Sequence, residues 1–278
     1  MIPPIASRFV AGESPATALD HVRQLNDRDV KAILNLLGEH YDDRDDAAAD
    51  AAEYRRLVDD IAGSDLEACI SVKPSQLGLD LGEDVFRSEL TDIVDAAAAR
   101  DVFVWIDMED HTTTDATLDA FENVAREHEG GVGICVQANL RRTRADVRRL
   151  ADVPGKVRFV KGAYDPPADV AYTDGERVDR EYRDLLEYAF EHYDGGIAVG
   201  SHDPAMIEHA TALHDRYGTD FEFQLLMGVR EDAQEDLAAE YEVWQYVPYG
   251  DRWKSYFYRR VTERTDNLRF ALRAVLTG

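Results

Sequence analysis

Short apolar runs rich in β-branched and aromatic residues recur over 30–37, 67–73, 102–108, 131–138, 157–163, 196–202, 221–227 and 242–248. Between them, stretches such as 47–61, 85–99, 114–128 and 177–192 carry apolar residues at helical spacing among Ala, Arg, Asp and Glu. The first pattern predicts strands buried on both faces, the second amphipathic helices. Eight near-continuous apolar strands alternating with helices predict an α/β fold of the closed, parallel (β/α)8 barrel type rather than an open doubly wound sheet. A further helix over about 15–27 precedes the first strand, within an N-terminal extension of about 1–29. No linker or low-complexity stretch divides the chain, so residues 1–278 are expected to form one domain.

A parallel barrel places its chemistry at the C-terminal ends of its strands. Lys73, Asp107, Gln137, Lys161, His202, Gln224 and Tyr246 all fall at or near such ends, a regularity that an open sheet does not predict. No strand is followed by Gly-x-Gly-x-x-Gly, which weighs against a Rossmann cofactor domain.

Composition narrows the partners. The chain has 56 acidic residues against 31 basic ones, a formal net charge of −25, spread along its length. That balance disfavours nucleic acid and anionic membrane surfaces. Five of the basic residues are lysines (Lys31, Lys73, Lys156, Lys161 and Lys254), so Arg dominates while Asp is abundant, a pattern resembling proteins of salt-loving organisms. Cys69 and Cys135 lie in strand-like runs and are expected to be buried free thiols. No run reaches membrane-spanning length and no leader pattern opens the chain, so the protein is expected in the cytosol, with any membrane contact peripheral and at the inner face.

Several constellations could carry chemistry. Ser71-Val-Lys73-Pro-Ser75 ends the second strand on a lysine that, if buried, needs an anion or serves as a Schiff-base nucleophile. In Trp105-Ile-Asp107-Met-Glu109-Asp-His111, Asp107, Glu109 and His111 would share a face if the strand ran on, which raises a metal site. Helix-start residues at Thr112 to Thr114 weigh against that, no metal is expected, and Asp107 reads better as an inward carboxylate paired with Lys73. Arg158 and Lys161 put two cations on the fifth strand beside Gly162, where a backbone can approach a ligand closely. Ser201-His202-Asp203 and Gln224 add polar groups from the sixth and seventh strands. After the eighth, Tyr256, Arg259 and Arg260 stand at i, i+3 and i+4, so on a helix two guanidiniums share one face and suit a carboxylate.

Taken in order, Leu37-Gly-Glu39, Ser71-Val-Lys73-Pro-Ser75, Ile106-Asp107-Met-Glu-Asp110, Gln137-Ala-Asn-Leu140, Arg158-Phe-Val-Lys161-Gly-Ala-Tyr164, Ser201-His202-Asp203, Glu222-Phe-Gln224-Leu-Leu226 and Tyr246-Val-Pro-Tyr-Gly250 through Tyr256-Phe-Tyr-Arg259-Arg260 resemble the proline dehydrogenase family. The likeness runs from about residue 30 to the end, and its type is the monofunctional bacterial and archaeal enzyme. The resemblance implies a distorted (β/α)8 barrel with a C-terminal helix over the active-site mouth. It implies FAD as cofactor, oxidation of L-proline to Δ1-pyrroline-5-carboxylate, and a membrane quinone as electron acceptor.

By the same resemblance, Arg259 and Arg260 hold the proline carboxylate with help from Lys73, while Leu226, Tyr246 and Tyr256 wall the ring. Asp107 orients Lys73, and Arg158 lies near the reactive flavin nitrogen. Met108, Gln137, Lys161, Gly162, Ala163, Ser201, His202, Gln224 and Glu263 match flavin-contacting positions, and Glu39 matches an acid that pairs with Arg259 as a gate. Two departures bear on cofactor contacts: Asp165 replaces the family's usual aromatic, and Ser201-His202-Asp203 replaces Thr-His-Asn. Tyr246 favours proline over hydroxyproline. The rival readings are a lysine-dependent aldolase using Lys73 or Lys161, and a ligand-binding barrel without turnover.

The charge makes one prediction independent of the fold. Salt screens self-repulsion of an acidic surface, so the melting temperature is expected to fall between molar salt and dilute buffer; an unchanged value would contradict the reading.

Overall fold

The computed structural model describes residues 2–3, 6–254 and 256–257. Eight parallel strands close into a barrel in sequence order: β1 (Lys31–Leu36), β2 (Ala68–Val72), β3 (Val104–Ile106), β4 (Val132–Gln137), β5 (Lys156–Val160), β6 (Ile197–Gly200), β7 (Phe221–Leu226) and β8 (Glu242–Tyr249). Helix α1 (Pro15–Asn26) precedes β1. Helices α2 (Arg44–Ala62), α3 (Glu83–Ala98), α4 (Thr114–Glu127), α5 (Thr143–Leu150), α6 (Gly175–His192), α7 (Pro204–Tyr217) and α8 (Glu231–Ala238) each follow a strand. The ring is sealed where β1 pairs with β8, Lys31 opposite Trp244 through Leu36 opposite Tyr249.

The strands are apolar on both faces for two different reasons. One set of alternate residues, including Leu34, Val72, Ile106, Ile134, Phe159, Val199 and Phe223, packs against helix residues such as Leu57, Phe86, Phe121 and Leu186 in a continuous layer. Burying each such side chain contributes roughly 1.5–3 kcal/mol. The other set points inward, where Trp105 packs with Ile33, Cys69 and Ala198 between Phe103, Trp244 and Tyr246. Gly133, opposite Trp105 across β3 and β4, makes room for that indole: a Cβ there would lie 2.5 Å from the ring.

Three aspartates begin α-helices, accepting hydrogen bonds from backbone N–H groups that lack a partner in the first turn. Asp43 caps α2, Asp174 caps α6, and Asp203 caps α7 just before Pro204. Arginines then tie neighbouring helices together. Arg142 and Arg149 on the α5 segment reach Asp115 and Asp119 of α4, and Arg144 forks between Glu181 and Asp184 of α6.

The structure shortens three of the expected strands by two or more residues at their C-terminal ends. Lys161 lies one residue past β5, where Gly162 turns with a φ of +117° close against Asn139. Ser201 and His202 follow β6 in a loop. After Asp107, whose N–H still bonds the Val72 carbonyl at 2.9 Å, the chain leaves β3 and Asp110 caps a short 3-10 turn, His111–Thr113, leading into α4. Asp107, Glu109 and His111 therefore do not share a strand face, and among the described residues no group of three such side chains could hold a metal.

The N-terminal segment does not stand apart from the barrel. Ala11 donates to the Pro248 carbonyl and Gly250 to the Gly12 carbonyl, both at 2.9 Å, which lays residues 11–12 along the C-terminal end of β8. Phe9 and Val10 then pack with Leu37, Trp253, Tyr256 and Phe257. Helix begins at Trp253, but the remainder of the C-terminal helix expected over the mouth lies outside the described residues.

Gly133→Ala tests the inner packing. Because the added methyl group must displace a fully buried indole, a loss of roughly 1–3 kcal/mol is expected in denaturant melts, and an unshifted midpoint would show that Trp105 yields without cost.

Candidate active site

The C-terminal ends of the strands surround a cavity of about 780 Å³. Around it stand Glu39, Lys73, Asp107, Met108, Gln137, Arg158, Lys161, Gly162, Ala163, Ser201, His202, Gln224, Leu226, Tyr246 and Tyr256. Thus side chains from all eight strand ends, scattered over more than two hundred positions of sequence, face one space. Arg259, Arg260 and Glu263 lie outside the described residues.

Asp107 is the centre of its polar floor. Oδ1 accepts from Ser71 Oγ at 2.8 Å and from Arg158 Nη2; Oδ2 accepts from Tyr246 OH at 2.7 Å and from Lys73 Nζ at 3.3 Å. Burial pushes this carboxyl up, but Lys73, Arg158 and the two hydroxyl donors outweigh it and hold the group at about 2. Burial pulls Lys73 down, yet Asp107, with smaller contributions from Tyr164, Glu109 and Glu39, leaves it above its ordinary range. Arg158, 5% exposed, stacks over Trp105 at 5.1 Å and Tyr246 at 5.8 Å, and its Nη1 donates to Gln224 Oε1 at 3.0 Å.

This arrangement suits fixed charge rather than amine chemistry. A Schiff-base lysine needs a lowered pKa. Lys73 is raised, and so is Lys161, where burial is outweighed by Asp179 and Asp203, each 2.6 Å from Nζ. Two buried cations sharing one carboxylate instead form a receptor for an additional anion.

The flanking residues are held by the scaffold. Gln137 Nε2 donates to the Glu109 carbonyl at 2.8 Å, and the Glu109 carboxylate accepts from the N–H and hydroxyl of Ser75. The Leu226 N–H donates to His202 Nε2 at 2.9 Å, making that nitrogen the unprotonated one and tying the β6 loop to β7. Asp203 has a double task, capping α7 through Ala205 N–H and gripping Lys161. Asp165 is exposed and is not among the cavity-lining residues.

The sequence reading missed Cys135 and Arg252 on the cavity wall. Cys135, two residues before Gln137 on β4, shares its inward face, so strand periodicity could have found it. Arg252 sits in the loop after β8, 4.5 Å over the Tyr41 ring and 3.6 Å from Asp46; no local pattern marks a loop residue of that kind.

A closed (β/α)8 barrel that gathers charged and polar side chains around one cavity at its C-terminal mouth has the arrangement in which enzymes of this fold place their chemistry. The sequence profile of the proline dehydrogenase family matches residues 18–273, and the chain belongs to that family. It is 36% identical over 276 residues to proline dehydrogenase 1 of Bacillus subtilis (strain 168), covering 98% of this chain and 90% of that protein. It is 37% identical over 284 residues to the proline dehydrogenase of Deinococcus radiodurans, covering 99% and 91%. Among solved structures, proline utilization A from Bdellovibrio bacteriovorus shares the fold with a TM-score of 0.86 at 24% identity; the match covers 94% of this chain and 32% of that one. The chain thus spans about a third of that protein's length.

The depressed Asp107 carboxyl has a signed consequence. Its folded value lies below its unfolded one, so the stability it adds is complete above the unfolded pKa and is lost as pH falls toward 2. The stability gap between wild type and Asp107→Asn in urea melts is expected to shrink by about 1 kcal/mol between about pH 5 and about pH 3. A constant gap would count against the paired carboxylate.

Proposed function

We propose that this cavity oxidises L-proline to Δ1-pyrroline-5-carboxylate with non-covalently bound FAD, the first step of proline catabolism. The observation that carries the reading is the Lys73, Asp107 and Arg158 cluster at the floor of a cavity far larger than an amino acid needs. Lys73 offers its ammonium to the substrate carboxylate, and Arg259 and Arg260 complete the grip as two planar forks. Leu226, Tyr246 and Tyr256 wall the ring, while Glu39 pairs with Arg259 to close the mouth. Asp107 is too weak a base, at about 2, to take the amine proton. Its role is orientation: it fixes Lys73, Arg158 and the Tyr246 hydroxyl at once, so that binding energy becomes geometry.

The rest of the wall fits a flavin nucleotide. Lys161, Gly162 and Ala163 follow one another along this wall, with the Lys161 ammonium held in place by Asp179 and Asp203. Met108, Gln137, Ser201, His202, Gln224 and Glu263 complete the set of contacts. When bound, FAD supplies the two-electron acceptor for a hydride leaving proline. Arg158 keeps a fixed positive charge beside the place where negative charge develops. For reoxidation we propose a membrane quinone met at the inner membrane surface by a cytoplasmic enzyme; among the described residues no helix is long and apolar enough to cross a membrane.

Purified protein supplied with FAD is expected to be yellow, to bleach with anaerobic L-proline, and to recover its colour with a soluble quinone analogue. Protein that cannot retain FAD overturns the reading. Lys73→Met is expected to keep the flavin but lose catalytic efficiency by roughly 30-fold or more, as when one partner of a buried charge contact is removed.

A further inference from the structure

A line of hydrogen bonds runs through the barrel interior from its N-terminal end to the cavity floor. Lys156, the first residue of β5, donates to Glu222 Oε2. Glu222 Oε1 accepts from Gln224 Nε2 at 2.6 Å, and Gln224 Oε1 accepts from Arg158 Nη1 at 3.0 Å. The other terminal nitrogen of Arg158 donates to Asp107. Glu222 is 3% exposed and lies outside the cavity wall, so it touches neither the substrate space nor the surface.

The direction of these bonds matters because an amide can face either way. Rotating the end of Gln224 by half a turn exchanges its oxygen and its NH2 group at almost no torsional cost. A guanidinium only donates, so only the oxygen is useful to Arg158. An ionised carboxylate only accepts, so Glu222 demands the NH2 group. In the flipped state both bonds are lost and like groups meet at each end. Burial pushes the Glu222 carboxyl above its ordinary value, and Lys156, bonded on the other oxygen, limits that rise.

We infer that Glu222 is a positioning residue for the proline-oxidising reaction: through the Gln224 amide it fixes where the Arg158 guanidinium sits. The inference rests on the reading of the cavity as a flavin and proline site. Asp107 bonds only Nη2, and the Trp105 and Tyr246 rings confine the faces of the guanidinium, so its rotation within its own plane depends on what holds Nη1. Gln224 holds Nη1, and two anchors on one planar group define its place. Glu222 therefore sets the position of the charge beside the flavin without contacting it.

Glu222→Gln is the discriminating variant, being almost isosteric. The introduced amide gives its oxygen to Lys156 and turns its NH2 toward Gln224, which must flip and set a donor against Arg158. In flavin-loaded protein of near wild-type thermal stability, the midpoint potential is expected to become more negative. The anaerobic reduction rate by L-proline is expected to fall about tenfold, with proline affinity changed far less. Adding Lys156→Met frees the oxygen of the introduced amide to face Gln224, so the double variant is expected to regain the wild-type potential and rate. A folded, flavin-loaded Glu222→Gln with wild-type potential and rate overturns the inference and leaves the flavin reading standing. If the single variant does not fold, a folded but slow double variant overturns it. Wild-type protein that never binds flavin overturns the functional reading itself.

Discussion

The buried carboxylate of Asp107 is the group on which the interior of this barrel depends. The Lys73 and Arg158 side chains are themselves largely buried, and two such charges without a counter-ion would cost several kcal/mol each in desolvation. One carboxylate, accepting from Ser71, Lys73, Arg158 and Tyr246, satisfies both cations and joins β2, β3, β5 and β8 across the barrel. Every acceptor position is filled, which is why the carboxyl stays ionised despite its burial. The same saturation explains why it orients rather than exchanges protons.

The scaffold around this network separates two jobs. The layer between strands and helices is apolar and continuous, and it supplies the burial energy that closes the ring. The inside of the barrel is filled sparsely by Trp105, made possible by Gly133 and Ala198, and then turns polar toward the cavity. An indole is large enough to plug the interior yet leaves its face to the Arg158 cation. Stability and chemistry therefore occupy different faces of the same strands. The acidic composition has its own local use, since aspartates begin helices and anchor the arginine bridges between them. Those exposed bridges are individually weak, but their planar forks align neighbouring helices.

Much of the architecture was legible because it is periodic. The apolar runs marked all eight strands and the helical spacing marked α1, α2, α3, α4 and α6 within a few residues. Where the reading overran, at Lys161 and at Ser201 and His202, the cause was that no change of periodicity marks the residue at which the ladder ends. The break is made by Gly162 in a conformation that favours glycine, and by the cap of Asp203, neither of which changes hydrophobic pattern. Lys73, Asp107 and Tyr246 stood out as polar residues at the ends of apolar strands. Glu222 did not, because a single acid inside a strand looks like an ordinary solvent-facing residue until the register shows it pointing inward.

The sequence by itself determined the barrel, its acidic surface, and the family whose motifs recur in order at the strand ends. These properties depend on local spacing and on residue type, both of which survive in one dimension. Only the tertiary structure decided which charges share Asp107, that Asp203 turned from a departure into a clamp on Lys161, and that Glu222 reaches Arg158 through Gln224. Those facts join residues tens of positions apart, and barrel closure and strand register, not proximity along the chain, bring their atoms within bonding distance.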